Sequence, residues 1–205
     1  MHIVAVACAP FDIETFCLGT LLKYHEAGGG ISLIFVTAKG WTRKDKRSAM
    51  RLASSLGITP FVIDKFDHRA VTQDNVKAVE TLIRKTRPTV AIIPFPRSTD
   101  SYRKIVGSSA LTGCRTCQNV LMYEPYTNND EFVPNVFCTI DKQVTDLKTI
   151  LIGAEKSALR KAQKIKPSSS AKRDYCKPAI PNRTLEVFQS HRLVLNSRAS
   201  SDRVV

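Results

Sequence analysis

The chain has 205 residues, 43% of them hydrophobic, which suits one domain of ordinary size with its own core. No apolar run reaches the roughly 18 residues a membrane-spanning helix needs, and six cysteines in a chain this long do not make a disulfide scaffold. The formal net charge of +13 is uneven, with 14 Lys/Arg against 5 Asp/Glu in residues 142–205, so the last third favours an anionic partner.

Ile3 to Cys8 is a continuous apolar run, the pattern of a central parallel strand. No basic leader or cleavage site precedes it, so it does not read as a signal peptide. With its thiols expected to be reduced, the chain is expected inside the cell, cytoplasmic or organellar, and not secreted. Ile13, Phe16, Cys17, Thr20, Leu21 and Tyr24 recur at helical spacing, and the helix they predict ends near Gly28-Gly29-Gly30. A second strand spans 31–38. Ala49, Leu52, Ala53 and Leu56 mark a helix closed by Gly57, and Phe61 to Ile63 is a short third strand. Thr72 caps a helix with Val76, Val79, Leu82 and Ile83 on its inner face, stopped by Pro88. Strand 90–93, a helix over about 102–118 and strand 120–123 follow. Beyond Pro125 a turn at 128–130, a strand over 133–140, a helix over about 142–164, a basic loop and a last strand over 185–195 are expected.

Strand–helix alternation of this kind implies an α/β fold: a Rossmann-like three-layer sandwich with a mostly parallel sheet. The expected organisation is one domain over 1–195. Its core spans 1–125, its C-terminal strand and helix elements span 126–195 with a basic loop at 166–181, and residues 196–205 form a tail. Ligands in such sheets bind beyond the carboxyl ends of the strands. That rim comprises loops 9–14, 39–42, 65–71 and 95–101.

The residues on this rim carry a family likeness. Cys8-Ala9-Pro10-Phe11-Asp12-Ile13-Glu14, then Gly19-Thr20-Leu21, resembles the His-Pro-Asp-Asp-Glu and Gly-Gly-Thr-Leu motif of the LmbE/PIG-L zinc N-deacetylases. Leu56-Gly57, Phe66-Asp67, Arg87-Pro88-Thr89-Val90, the loop 94–101, segment 136–148 and Leu185-Glu186-Val187-Phe188 extend the likeness in the same order. The resemblance implies a deacetylase-like fold and a zinc site, but the side chains that would hold the metal are mostly gone. The zinc histidine falls on Ala9 and the general-base aspartate on Phe11, while the zinc aspartate is kept as Asp12. The motif's glutamate falls on Ile13, with Glu14 beside it. The two histidines of the later motif fall on Ser98 and Ser101, with Asp100 retained between them. A catalytic zinc needs about three protein ligands and an open position for water. One carboxylate does not meet that need, and Phe11 cannot take a proton.

The chain is therefore expected to be a non-catalytic homologue, a pseudoenzyme without cofactor, that serves as a binding or structural subunit. The alternative is an active N-deacetylase of an N-acetyl sugar whose rebuilt zinc site uses Asp12 with Cys8 or His68. Asp12, Glu14, Asp100, Trp41, Asp67, His68, Arg97 and Arg103 form the candidate pocket remnant. Five of them have a structural alternative: caps for Asp12 and Asp100, a packed ring for Trp41, a solvated face for Arg97 and Arg103. Arg160, Lys161, Lys164, Lys166, Lys172, Arg173 and Lys177 are the candidate contacts to an anionic partner, whether nucleic acid, ribonucleoprotein or acidic protein. A homo-oligomer is compatible with the same sequence. Cationic Arg43-Lys44-Asp45-Lys46-Arg47 opens a helix where the dipole prefers anions, a placement that either a partner offsets or the chain tolerates at a cost of a few tenths of a kcal/mol. Cys114-Arg115-Thr116-Cys117, placed late in a helix, reads as two small packed residues in preference to a redox pair.

Overall fold

The structure, a computed structural model, describes residues 1–37, 41–124, 129–146 and 184–194. In chain order the elements are β1 (His2–Ala7), α1 (Asp12–Phe16), α2 (Leu18–Glu26), β2 (Gly30–Val36), α3 (Arg43–Ser55), β3 (Phe61–Ile63), α4 (Gln73–Thr86), β4 (Val90–Pro94), α5 (Ser101–Gly113), β5 (Asn119–Tyr123), β6 (Val136–Ile140) and β7 (Thr184–Arg192). They build one seven-stranded sheet in the order β3-β2-β1-β4-β5-β7-β6. The first five strands pair in parallel, and β7 runs antiparallel to both β5 and β6. The expected α/β class with a mostly parallel sheet is the observed one.

The apolar run of β1 occupies the centre of the sheet, with Ile3 through Ala7 fully buried. Successive side chains of a strand face opposite ways. Ile3, Ala5 and Ala7 join one core with Leu18 and Leu21 of α2 and Leu52 of α3, while Val4, Val6 and Cys8 join the other with Val79 of α4 and Val106 of α5. After β3 the chain returns to the far side of β1 to form β4. The loops leaving β1 and β4 therefore part at a switch in strand order, where open α/β sheets present their clefts.

The first helix differs from its predicted form. A single helix over 13–24 is instead two, broken at Cys17, whose φ of −130° leaves the helical region. α2 ends as expected, with Gly28 at φ 78° and the Gly28 and Gly29 amides bonded back to His25 and Tyr24 carbonyls. This left-handed closing turn suits glycine, which has no Cβ to clash. Gly107 of α5 serves a different need: a Cβ there would lie 2.6 Å from the Pro94 carbonyl oxygen, so only glycine lets α5 press onto the end of β4. α5 is shorter than predicted, ending at Gly113, so Cys114 and Cys117 lie beyond the helix and not late within it. Of the expected helix over 142–164, residues 142–146 are helical, and the remainder lies outside the described residues, as does the basic loop 166–181.

Candidate functional site

The site is built from the two diverging loops. Asp12 opens α1 just beyond β1 and is completely buried. Its carboxylate is surrounded by donors. Oδ2 accepts from the Ala9 amide at 2.8 Å, the Cys8 amide at 3.1 Å, Arg103 Nη1 at 3.0 Å and the Tyr123 hydroxyl at 3.3 Å. Oδ1 lies 2.9 Å from Arg103 Nη2, at ion-pair distance but without hydrogen-bond geometry, so the directed contact is the single one from Nη1. Arg103 is 6% exposed, so it is not on the solvated face that one sequence reading gave it. Burial opposes its charge, but the Asp12 carboxylate overrides that and holds the guanidinium firmly protonated. The helix that carries Arg103 is aimed by Asp100, whose side chain accepts from the Arg103 amide at 2.8 Å as the N-cap of α5.

The retained aspartate thus faces a fixed organic cation. Phe11, at the general-base position, adopts the left-handed region at φ 68°, an unfavourable place for a bulky residue that costs about 1–2 kcal/mol. That conformation turns the chain sharply enough to send Asp12 back beneath the Cys8 and Ala9 amides. Glu14 is also buried, at 3% exposure. Burial pushes its carboxyl up to about 7, its backbone hydrogen bond and Arg51 pull the other way, and Asp12 adds to the rise. Burial, followed by the Asp12 charge, pushes the Cys8 thiol well above its ordinary range.

The later motif does not converge on Asp12 as a donor set. Ser98 is buried, and its hydroxyl donates to Glu124 Oε1 at 3.1 Å, whereas Ser101 is exposed as the first residue of α5. Arg97 is exposed, ion-paired with Glu131 at 3.0 Å and stacked over Phe95. Asp67 and His68 are exposed, with Asp67 Oδ1 closing a turn onto the Arg69 amide. Trp41 packs against Phe35. The seven cations between Arg160 and Lys177 lie outside the described residues.

Zinc in an LmbE-type site would draw on these positions, and the residues present do not fit it. Ala9 offers no ligating atom, Ser98 is turned to Glu124, and the Cys8 thiol donates to Asp12 Oδ2 at 3.5 Å. Both Asp12 oxygens face the guanidinium, so a divalent ion would sit against a like charge. Among the described residues no group of three or more His, Cys, Asp or Glu could hold a metal ion. His68 in particular is on the exposed rim loop.

Residues absent from the sequence-derived set also shape the site. Tyr123, fully buried, donates to the Val6 carbonyl at 3.0 Å as well as reaching Asp12. Glu124 follows it and anchors Ser98, with Asn129 bridging from the Arg97 carbonyl. A carboxylate placed directly after an apolar strand, at the rim where ligands bind, was the available signal for Glu124. Glu186 of β7 accepts from the Gly19 amide at 2.8 Å, the Thr20 amide at 2.7 Å and the Thr20 hydroxyl at 2.7 Å. It satisfies the N-terminus of α2 from across the chain, where the residue preceding that helix makes no side-chain cap.

Comparisons place this architecture among known structures. No family model matches the chain, and no curated protein matches it in sequence. Solved structures do match. The conserved protein TT1542 from Thermus thermophilus aligns with a TM-score of 0.74 at 18% identity, covering 97% of this chain and 98% of its own. GalB, the 4-carboxy-2-hydroxymuconate hydratase of Pseudomonas putida, aligns with a TM-score of 0.73 at 15% identity, covering 97% and 99%. The N,N'-diacetylchitobiose deacetylase of Pyrococcus horikoshii aligns with a TM-score of 0.68 at 15% identity, covering 92% and 83%. The chain therefore has the fold of the LmbE/PIG-L-type deacetylases that its motifs resemble.

Proposed function

We propose that this chain is a non-catalytic LmbE-type protein that works by holding an anionic partner, RNA or a ribonucleoprotein. The observation that carries the first half is the Asp12–Arg103 pair: the one retained zinc-ligand position is already neutralised by a buried guanidinium. The cation such a carboxylate needs is built into the chain, so its charge is compensated without a cofactor.

The anionic partner is supported by charge. On α3, Lys44, Arg47 and Arg51 line one groove of about 530 Å³ with Met50 and Ser54. The one acid in that stretch, Asp45, is engaged by the Thr42 amide and hydroxyl at 2.8 Å in a capping box. The three cations recur at intervals of three and four residues, on one face of the helix. The cations of 160–177 add to the same positive charge in sequence. Fluorescence anisotropy with single-stranded RNA is the test. Binding is expected at low salt and should fall steeply as salt rises, because released counterions drive it. Charge reversal at Lys44, Arg47 and Arg51, and separately neutralisation across 160–177, should each weaken it. No retention at about 50 mM salt would remove the RNA part.

A second reading, an active N-deacetylase, is favoured by Glu14, whose carboxyl near 7 suits proton transfer at neutral pH. Acetate release from N,N'-diacetylchitobiose together with stoichiometric bound zinc would establish it and remove the first.

A further inference from the structure

We propose that the groove along α3 takes single-stranded RNA with unpaired bases, one base packing against the exposed side chain of Met50. This rests on the reading of that groove as an anion site, and it names the form of nucleic acid accepted and the residue that selects it.

The side chains of α3 divide between two faces. Ala49, Leu52 and Ala53 are buried and join the core. Lys44, Arg47, Met50, Arg51 and Ser54 succeed one another at three- and four-residue intervals and line the groove on the other side. Met50 is 41% exposed, and among the described residues it is the one large apolar side chain left exposed on a helix. A lone exposed apolar residue is ordinary by itself. Its setting gives this one meaning, because it stands between Arg47 and Arg51 where the groove is otherwise cationic. No carboxylate is ion-paired with Arg47 or Arg51 among the described residues, and Asp45 is held in the capping box with Thr42. Arg43, Arg47 and Arg51 stand four residues apart, where like charges destabilise a helix, a cost that a polyanion offsets.

Duplex RNA has no use for an apolar side chain at this place. Its bases are stacked inside, its major groove is too deep and narrow for side chains to read, and its outer surface is phosphate and sugar. A single strand offers two surfaces together: phosphates for the cations and the apolar face of an unstacked base for Met50. Methionine suits that contact, being unbranched and carrying a thioether that packs favourably on aromatic rings. The Ser54 hydroxyl has no hydrogen-bond partner among the described residues and is free to meet the edge of that base or a ribose hydroxyl.

The full chain is titrated by fluorescence anisotropy with a single-stranded RNA of about 12 nucleotides, with the same strand paired to its complement, and with an abasic strand of equal length. Met50→Ala keeps a strong helix former at an exposed position, so the fold is retained. It should weaken binding of the intact single strand about threefold to tenfold, the range of a sulfur–aromatic contact. Its affinity for the duplex and the abasic strand should match the parent's, and its salt dependence should not change, because no phosphate contact is lost. Met50→Leu, which preserves the apolar surface, should keep most of the affinity. Arg47→Ala should instead weaken all three probes and lessen the salt dependence. A Met50→Ala protein that binds every probe as the parent does, or loses affinity equally for all three, would overturn the base contact while the anion site stands. Failure of the parent to bind any of the three at low salt would remove the anion site, and this proposal with it.

Discussion

Replacing Arg103 by Met tests the central physical claim. The substitution keeps an unbranched side chain of similar length and removes only the charge and its donors. With charge centres about 4 Å apart and an effective dielectric near 20, the attraction to Asp12 is about 4 kcal/mol. Taking both ions from water opposes this, so the intact pair itself contributes little net stability. Breaking it is another matter, because Asp12 has no solvent to fall back on at 0% exposure. Two amides, a thiol and the Tyr123 hydroxyl remain, none of them cationic. Removing one partner of a buried pair costs about 3–5 kcal/mol. In a chain of this size that lowers the melting temperature by about 6–20 °C. Asp12→Asn should be similarly harmful, and the double variant should lose clearly less than the sum, with a coupling of about 2 kcal/mol or more. Urea denaturation of the four proteins gives the cycle. Two single variants each within about 0.5 kcal/mol of the parent would refute a tightly coupled buried pair.

Glu14→Gln tests the raised carboxyl. Its folded value near 7 lies above the ordinary 4.5, so it favours folding below about pH 4.5, and that advantage is lost as pH rises to about 7. The stability of Glu14→Gln relative to the parent should therefore improve by about 3 kcal/mol between pH 4.5 and 8, and a flat difference would speak against it. Glu186→Ala should cost about 2–4 kcal/mol and speed hydrogen exchange at the Gly19 and Thr20 amides, which lose their acceptor. At Phe11, the left-handed backbone makes glycine better than alanine by about 0.5–1 kcal/mol, measured as the difference in unfolding midpoints of the two variants.

Much of the fold was legible in local pattern. The unbroken apolar run of β1, the Thr72 cap and the glycines closing α2 and α3 speak through backbone chemistry within a few residues, and the structure places each where that chemistry puts it. The break at Cys17 was not legible, because Ile13, Phe16, Cys17 and Leu21 keep helical spacing across it and all four are buried. Nor was the early end of α5 at Gly113, since nothing in the following four residues forbids a helix.

The residue types themselves determined that Ala9 and Phe11 could supply neither a metal ligand nor a proton acceptor, since no fold gives a methyl group or a phenyl ring that capacity. Only the tertiary structure decided what stands opposite Asp12. Arg103 lies 91 positions away in sequence, and an ion pair between the first turns of two distant helices leaves no local trace in either. The same holds for Glu186, whose partners are 166 and 167 residues distant, and for Arg192 beside the cysteine turn. Such pairings exist because the sheet brings far-separated segments side by side, so that a buried polar group finds its partner across the chain.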